Sequence, residues 1–278
     1  MRHDADLTLA FVSDIHVGPA ATFEGKLRKL SDRSLDLLGM FVDEMNALGP
    51  DVVVNLGDDI EDESSELDGA RLRQVMEVLG RFRGELLHVA GNHDTKCVDD
   101  AELLAFWRTT SFDHLRTPPL RYALERKGFH LVVLHTHEIK DEKVFLEEDD
   151  LAWLEAELAR SPLPKVVMMH HAAADQVLRG NRWFDRAPQL CLVRERRRFR
   201  AILAGHDVRL VVNGHLHWNH LAVIGGVPFV TVQSLVENLD EDAPGRPARG
   251  HVIATLSASR TIVDVRGEEP ARYQFSRD

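Results

Sequence analysis

Short apolar runs that stop abruptly in polar residues recur along this chain. Residues 7–12 (LTLAFV) stop at Ser13-Asp14, with His16 two positions on, and residues 51–56 (DVVVNL) stop at Gly57-Asp58-Asp59. Residues 86–90 (LLHVA) stop at Gly91-Asn92-His93-Asp94, residues 165–169 (KVVMM) at His170-His171, and residues 208–212 (VRLVV) at Asn213-Gly214-His215-Leu216-His217. Such runs, bounded by turn formers, read as buried strands that deliver polar chemistry at their carboxyl ends. Helical spacing of apolar positions covers residues 26–48, halted by Gly49-Pro50, then 67–82 and 147–158, the last broken by Ser161-Pro162-Leu163-Pro164. Residues 120–126 and 129–136 predict a hairpin turning at Lys127-Gly128, and the runs 228–232, 252–256 and 261–265 predict antiparallel strands. The pattern predicts an α/β fold, one domain over residues 1–278 with two sheets. The acidic stretch 61–68 is expected to be a solvated loop, residues 194–200 (RERRRFR) the outer face of a helix, and residues 240–250 a mobile loop.

A formal charge of −11 and a pI near 5.7 argue against a nucleic-acid surface, which is usually met by a Lys/Arg excess. Cations held in an acidic pocket would reverse that local sign. The two cysteines, Cys97 and Cys191, form no pairing pattern, so a reducing compartment is expected. Residues 1–6 are polar and no run approaches the ~18 apolar residues of a membrane span, so the expected location is cytoplasmic, away from the membrane. The 15 histidines change the picture most, because imidazole is the commonest metal ligand and the usual acid or base near neutrality.

A parallel sheet brings the carboxyl ends of its strands to one edge, so Asp14, His16, Asp58, Asn92, His93, His170, His215 and His217 are expected to converge. Their donors are oxygen and nitrogen without thiolate. That disfavours structural zinc and calcium and suits Mn, Fe, Co, Ni or Zn bound in a mixed shell. The donors exceed the needs of one ion, whereas two ions about 3.5 to 4 Å apart, sharing one carboxylate, would use them.

Taken in order, Asp14-Ile15-His16, Gly57-Asp58, Gly91-Asn92-His93-Asp94, His170-His171 and Gly214-His215-Leu216-His217 resemble the five signature blocks of the calcineurin-like metallophosphoesterases, over residues 7–218. The resemblance implies two mixed β-sheets packed as a sandwich flanked by α-helices, with a dinuclear metal site at the strand carboxyl ends. It implies that Asp14, His16 and His217 hold one divalent or trivalent ion, that Asn92, His170 and His215 hold the other, and that Asp58 bridges them. A water or hydroxide between the ions would attack phosphorus in line. His93 resembles the residue that stabilises the phosphoryl oxygens or protonates the leaving group, with Asp94 orienting it. Asn92 and His93 are thereby expected to touch substrate.

Protein Ser/Thr phosphatases of this family carry Asp-Arg-Gly after Gly-Asp and Glu after Gly-Asn-His, whereas this chain has Asp59-Ile60-Glu61 and Asp94. It therefore resembles the small-molecule and phosphodiesterase branches. Cyclic nucleotide and glycerophosphodiester phosphodiesterases often place Pro after the His pair, where Ala172-Ala173-Ala174 stands here. The expected activity is hydrolysis of a small phosphodiester or phosphomonoester, with those two substrate classes as candidates. The alternatives are a nuclease of the same superfamily and a non-catalytic metal-binding scaffold, although scaffolds usually lose ligands that are all retained here. Residues 176–200, rich in Arg and containing Trp183 and Phe184, are the candidate specificity cap, with Arg179, Arg182 and Arg186 as candidate substrate contacts. His135 and His137 are candidate pocket residues, His171 reads as structural, and Trp218 as core or a stacking surface.

Overall fold

The computed structural model describes residues 6–276. All of the polar start except Asp6 therefore lies outside the described residues. In chain order the elements are β1 (Leu7–Val12), β2 (Ala21–Phe23), β3 (Lys26–Lys29), α1 (Ser34–Leu48), β4 (Val52–Asn55), α2 (Ser65–Leu79), β5 (Glu85–His88) and α3 (Asp100–Trp107). Then follow β6 (Tyr122–Arg126), β7 (Phe129–Val133), β8 (His137–Ile139), β9 (Lys143–Phe145), α4 (Glu148–Arg160), β10 (Lys165–Met168), α5 (Arg196–Leu203) and β11 (Val208–Asn213). The chain closes with β12 (His220–Ile224), β13 (Val227–Thr231), β14 (His251–Leu256), β15 (Arg260–Arg266) and β16 (Ala271–Ser276).

Two six-stranded mixed sheets result, ordered β16-β15-β14-β1-β4-β5 and β12-β13-β11-β10-β7-β6. Within the first, β1, β4 and β5 run parallel; within the second, β7, β10, β11 and β13 do. Side chains alternate across a strand, and β10 shows the consequence. Val166 and Met168 join the core between the sheets with Phe11, Val54 and Leu87, while Val167 packs outward against Leu151, Leu154 and Phe199 of α4 and α5. A strand buried on both faces must be apolar throughout, which is why the central runs read as continuous rather than alternating. Cys97 and Cys191 are both free thiols. Among the described residues, no helix is long and apolar enough to cross a membrane.

Three local expectations are corrected. The helical spacing over residues 26–48 conceals a strand, since β3 pairs with β2 and helix α1 begins only at Ser34. The backbone of β3 and its flank is occupied by the segment around residues 236–241, through Leu30 N–H to Val236 O (3.0 Å), Asn238 N–H to Arg28 O (2.7 Å) and Leu27 N–H to Glu241 O (3.1 Å). Tertiary pairing here overrides local periodicity. The acidic stretch 61–68 is a solvated loop only in part: residues 63–67 are exposed, but helix α2 begins at Ser65, Asp68 is buried and accepts from the Glu63 amide (2.9 Å), and Glu61 and Asp62 are half-buried against Lys29 and His93. Residues 240–250 are tied down, because Leu239 N–H donates to Arg246 O (2.9 Å) and Arg246 N–H to Asn238 Oδ1 (2.8 Å). The predicted hairpin forms between β6 and β7, and β14 pairs antiparallel with β15.

Candidate metal centre

The loops after β1, β4, β5, β10 and β11 are stitched together by main-chain hydrogen bonds before any side chain is considered. Asp14 and His16 donate to the carbonyls of Gly57 and Asp58 (both 2.9 Å), and Gly214 donates to His170 O (3.0 Å). Asp14 (φ 54°), His16 (50°), Asp58 (56°), His215 (68°) and His217 (55°) all adopt the left-handed conformation that non-glycine residues avoid. Each such residue costs about 1–3 kcal/mol and persists only where the surroundings impose it, typically at functional sites. Gly91 allows the β4 and β5 loops to touch, since a Cβ there would lie 2.2 Å from the Asp58 nitrogen and 2.3 Å from its Oδ1.

Donor atoms of Asp14, His16 and His217 lie within 4.8 Å of one another, as do those of Asp14, Asp58 and His170, and those of His170, His171 and His215. The Nε2 atoms of His16 and His217 are 3.0 Å apart, His217 Nε2 is 3.3 Å from Asp14 Oδ1, and His170 Nε2 is 3.2 Å from Asp58 Oδ2. The second nitrogen of several rings is held from outside: His170 Nδ1 by Leu56 O (2.8 Å), His215 Nε2 by Leu190 O (3.0 Å) and His217 Nδ1 by Glu237 Oε2 (3.1 Å). Oxygen partners of this kind fix tautomer and orientation in metal-binding histidines.

The residues fit a pair of cations. Asn92 Oδ1 is buried without a hydrogen-bond partner, an arrangement that costs roughly 1–3 kcal/mol unless something else satisfies it, while Asp14 Oδ1 and His170 Nε2 are met only by the ion-pair approaches of His217 (3.3 Å) and Asp58 (3.2 Å). The electrostatics make the same demand. Burial opposes charge on His170 and His217, yet Asp58 pushes His170 up to about 10 and Asp14 pushes His217 up to about 9. Burial would raise Asp58, but His170 and His93 outweigh it and hold the carboxylate well below its ordinary value. The buried carboxylates thus recruit positive charge even from imidazoles.

His93 stands beside this cluster. Its N–H donates to Asp58 Oδ1 (2.9 Å), and its Nδ1 lies 2.5 Å from Asp62 Oδ1, while Asp62 Oδ2 lies 2.5 Å from Lys96 Nζ. Asp94 does not orient His93, contrary to the expectation from sequence. Its carboxylate accepts from the amides of Gly91 (3.0 Å), Asp58 (2.9 Å) and Asp59 (2.7 Å), which the tight Gly-Asn-His-Asp turn points back toward the β4 loop. Burial and Asp58 together push Asp94 up to about 6.

A cavity of about 460 Å³ opens over the cluster, with His16, Asp58, Asn92 and His93 on one side and Phe23, Trp183 and Phe184 on another. Of the segment 176–200, Trp183, Phe184 and Leu190 line this cavity. Arg182 is not among the cavity-lining residues, which corrects its assignment as a substrate contact. Its guanidinium donates to the carbonyls of Asn238 and Leu239 (3.1 Å for the latter), so it anchors the segment instead. Arg179 and Arg186 line a separate depression with Gln176 and Asp185. His135 and His137 stay outside the cavity, His137 facing Asp150 (3.1 Å), and His171 is held by Thr136 Oγ1 (2.7 Å). Trp218 donates to Gln176 Oε1 (3.1 Å) and does not line the cavity either.

The calcineurin-like phosphoesterase family model matches residues 7–219. The chain belongs to this family. The phosphoesterase is 30% identical over 255 residues, 88% of its length and 72% of the relative's, to a cAMP/cGMP dual specificity phosphodiesterase of Mycobacterium tuberculosis. It is 33% identical over 135 residues, 47% of its length and 45% of the relative's, to a glycerophosphodiester phosphodiesterase of Enterobacter lignolyticus. Its fold matches that of a dimetal phosphatase from Danio rerio with a TM-score of 0.77 at 17% identity, covering 98% of this chain and 99% of that one. The relatives are named as phosphodiesterases and the family is hydrolytic, so this chain is a phosphoric ester hydrolase.

Sequence reasoning missed four residues that shape the phosphoesterase site: Asp62, Glu237, Lys29 and Phe23. Asp62 carried a usable signal, an acidic residue four positions after Asp58 on the loop that strand β4 delivers. Lys29 is buried, pairs with Glu61 and sits 3.5 Å from His16 Nδ1, yet in sequence it is an unremarked lysine within a helical pattern. Glu237 had no local signal, since only the return of the chain after β13 brings it to His217.

Proposed function

We propose that this phosphoesterase hydrolyses a small phosphodiester by in-line displacement at a dinuclear centre held by Asp14, His16, Asp58, Asn92, His170, His215 and His217. Two transition-metal ions of the Mn, Fe, Co, Ni or Zn type would supply Lewis acidity and an acidified water for the attack. The observation that carries the reading is the meeting of the Asp14–His16–His217 and Asp14–Asp58–His170 groups beside a single cavity that His16, Asp58, Asn92, His93, His215 and His217 line. The chain's own contribution is positional. Asp58, held ionised and fixed through the neighbouring loop, keeps negative charge between the two ligand groups, and His93 is carried on the adjacent turn by its amide contact to Asp58.

His93 is the residue placed to give a proton to the departing alkoxide. Burial opposes its charging, but Asp58 and Asp62 raise its pKa above the ordinary value, which favours the imidazolium that a general acid must start from. The cavity volume suits a small substrate rather than a polymer, and the first relative's name is that of a diesterase. Turnover of bis(p-nitrophenyl) phosphate beside p-nitrophenyl phosphate, on chelated protein reloaded with each metal in turn, tests the proposal. Metal-dependent release that favours the diester and disappears in Asp58→Asn is the expected result. No release with any metal, despite two ions bound per chain, would sink it, and salt-sensitive cleavage of DNA would replace it with the nuclease reading.

A further inference from the structure

The aromatic side of the cavity is built with more care than a cap needs. Trp183 and Phe184 both donate their backbone N–H groups to Asn181 Oδ1 (2.9 Å each), and Asn181 in turn donates to Leu216 O (2.9 Å), inside the Gly-His-Leu-His turn. The Phe184 ring stacks on the ligand His215 at 4.8 Å, and the Trp183 ring lies 5.3 Å from the ligand His217 while its Nε1 donates to Glu237 (3.0 Å). Both rings are thus fixed against the very histidines that define the reaction centre. From the opposite side, the β2–β3 hairpin brings Phe23 to within 5.2 Å of Trp183, with the two planes 30° apart. Phe23 remains 38% exposed and lines the same cavity.

A single exposed phenylalanine needs no explanation. One held in register with a second fixed ring, at the edge of a reaction cavity, is a surface for another flat group. Rigid aromatic rings offer large contact area at little entropic cost, and aromatic stacking is tolerant of the identity of the stacked base. A polyol such as glycerol has no π-face to present there.

We propose that Phe23, with Trp183 behind it, is a stacking wall for a planar ring carried on the phosphorylated alcohol, so that this enzyme selects nucleobase- or aryl-bearing phosphodiesters over those of glycerol. The inference rests on the hydrolase reading for the position of the phosphorus but names a separate determinant of specificity. It is tested on metal-loaded protein by calorimetric titration with adenosine 5′-monophosphate and with glycerol 3-phosphate, which share a phosphate and differ in the ring. Wild type is expected to bind the nucleotide about tenfold more tightly, the scale of one stacked base, and the margin is expected to collapse in Phe23→Ala and persist in Phe23→Tyr. The ratio of kcat/KM for cyclic AMP to that for glycerophosphoethanolamine is expected to fall in step in Phe23→Ala.

A wild-type protein with no margin, a margin that survives Phe23→Ala, or an equal weakening of both ligands would overturn the proposal, the last because it marks Phe23 as mere packing. If no diester is turned over with any metal while the nucleotide margin still depends on Phe23, the ring subsite stands and the proposed phosphodiester hydrolysis falls.

Discussion

His93 and Asp62 face each other beside the proposed metal centre, Nδ1 and Oδ1 separated by 2.5 Å, although the two residues come from loops at the ends of different strands. The partner that fixes the proposed acid is therefore Asp62, while Asp94 fixes the loop that carries it. Lys96 holds the other Asp62 oxygen, so the carboxylate is clamped between two cationic side chains.

Asp62→Asn should leave metal content intact and lower kcat by about tenfold, a fraction of the roughly hundred- to ten-thousandfold that a well-placed acid supplies. The loss should be greater for diesters with alkyl leaving groups than for p-nitrophenyl diesters, whose leaving group needs no proton. Steady-state rates across a leaving-group series, with metal measured by mass spectrometry, check this. Equal losses across the series would remove His93 from the protonation step.

Glu237 holds the proposed ligand His217, whose Nδ1 lies 3.1 Å from the Glu237 carboxylate. Glu237→Gln should weaken binding of one of the two ions by about ten- to a hundredfold, the usual penalty for losing an outer-shell partner of a ligand histidine. Competition with a chelator of known affinity reads it directly, and an unchanged profile for both ions would refute the role.

Gly91→Ala tests the contact between the β4 and β5 loops. The added methyl would overlap the Asp58 backbone, and relieving it must displace the carboxylate proposed to bridge the ions. The variant should lose metal and melt earlier, with a destabilisation of about 1–3 kcal/mol, as for overpacked sites. Thermal unfolding followed with and without added metal separates the two effects.

Away from the centre, Glu85 links β5 to His114 (2.9 Å) and Arg126 (2.5 Å to Nε). Burial raises its pKa, but the hydrogen bonds from His114 and Arg126 outweigh burial and bring it down to about 2 from 4.5. A depressed carboxylate contributes stability that is fully present above the unfolded value and is lost as pH falls from about 4.5 toward 2. After allowance for partial solvent exposure the contribution is about 1–2 kcal/mol. Melting temperatures of wild type and Glu85→Gln should accordingly converge on acidification through that window, and curves that remain parallel would show that Glu85 is not the titrating group.

The buried strands of the parallel cores could be read from sequence because each is apolar on both faces and ends in a turn; β1, β4, β5, β10 and β11 follow directly. The metal-ligand candidates were legible for the same reason, since a strand fixes where its carboxyl end lies and parallel strands bring those ends together. Partners set by chain return were not legible. Glu237 meets His217, and Arg182 meets the Asn238 and Leu239 carbonyls, only after loops of unrelated sequence pack on one another. Nor could sequence separate β3 from the helix after it, because pairing with residues 236–241 decides that backbone while local spacing suits either state. Periodicity records which faces a segment buries, and that determined the frame and the ligand candidates. The direction in which a polar side chain turns depends on which backbone donors and charges the rest of the fold leaves near it, and that only the tertiary structure decided.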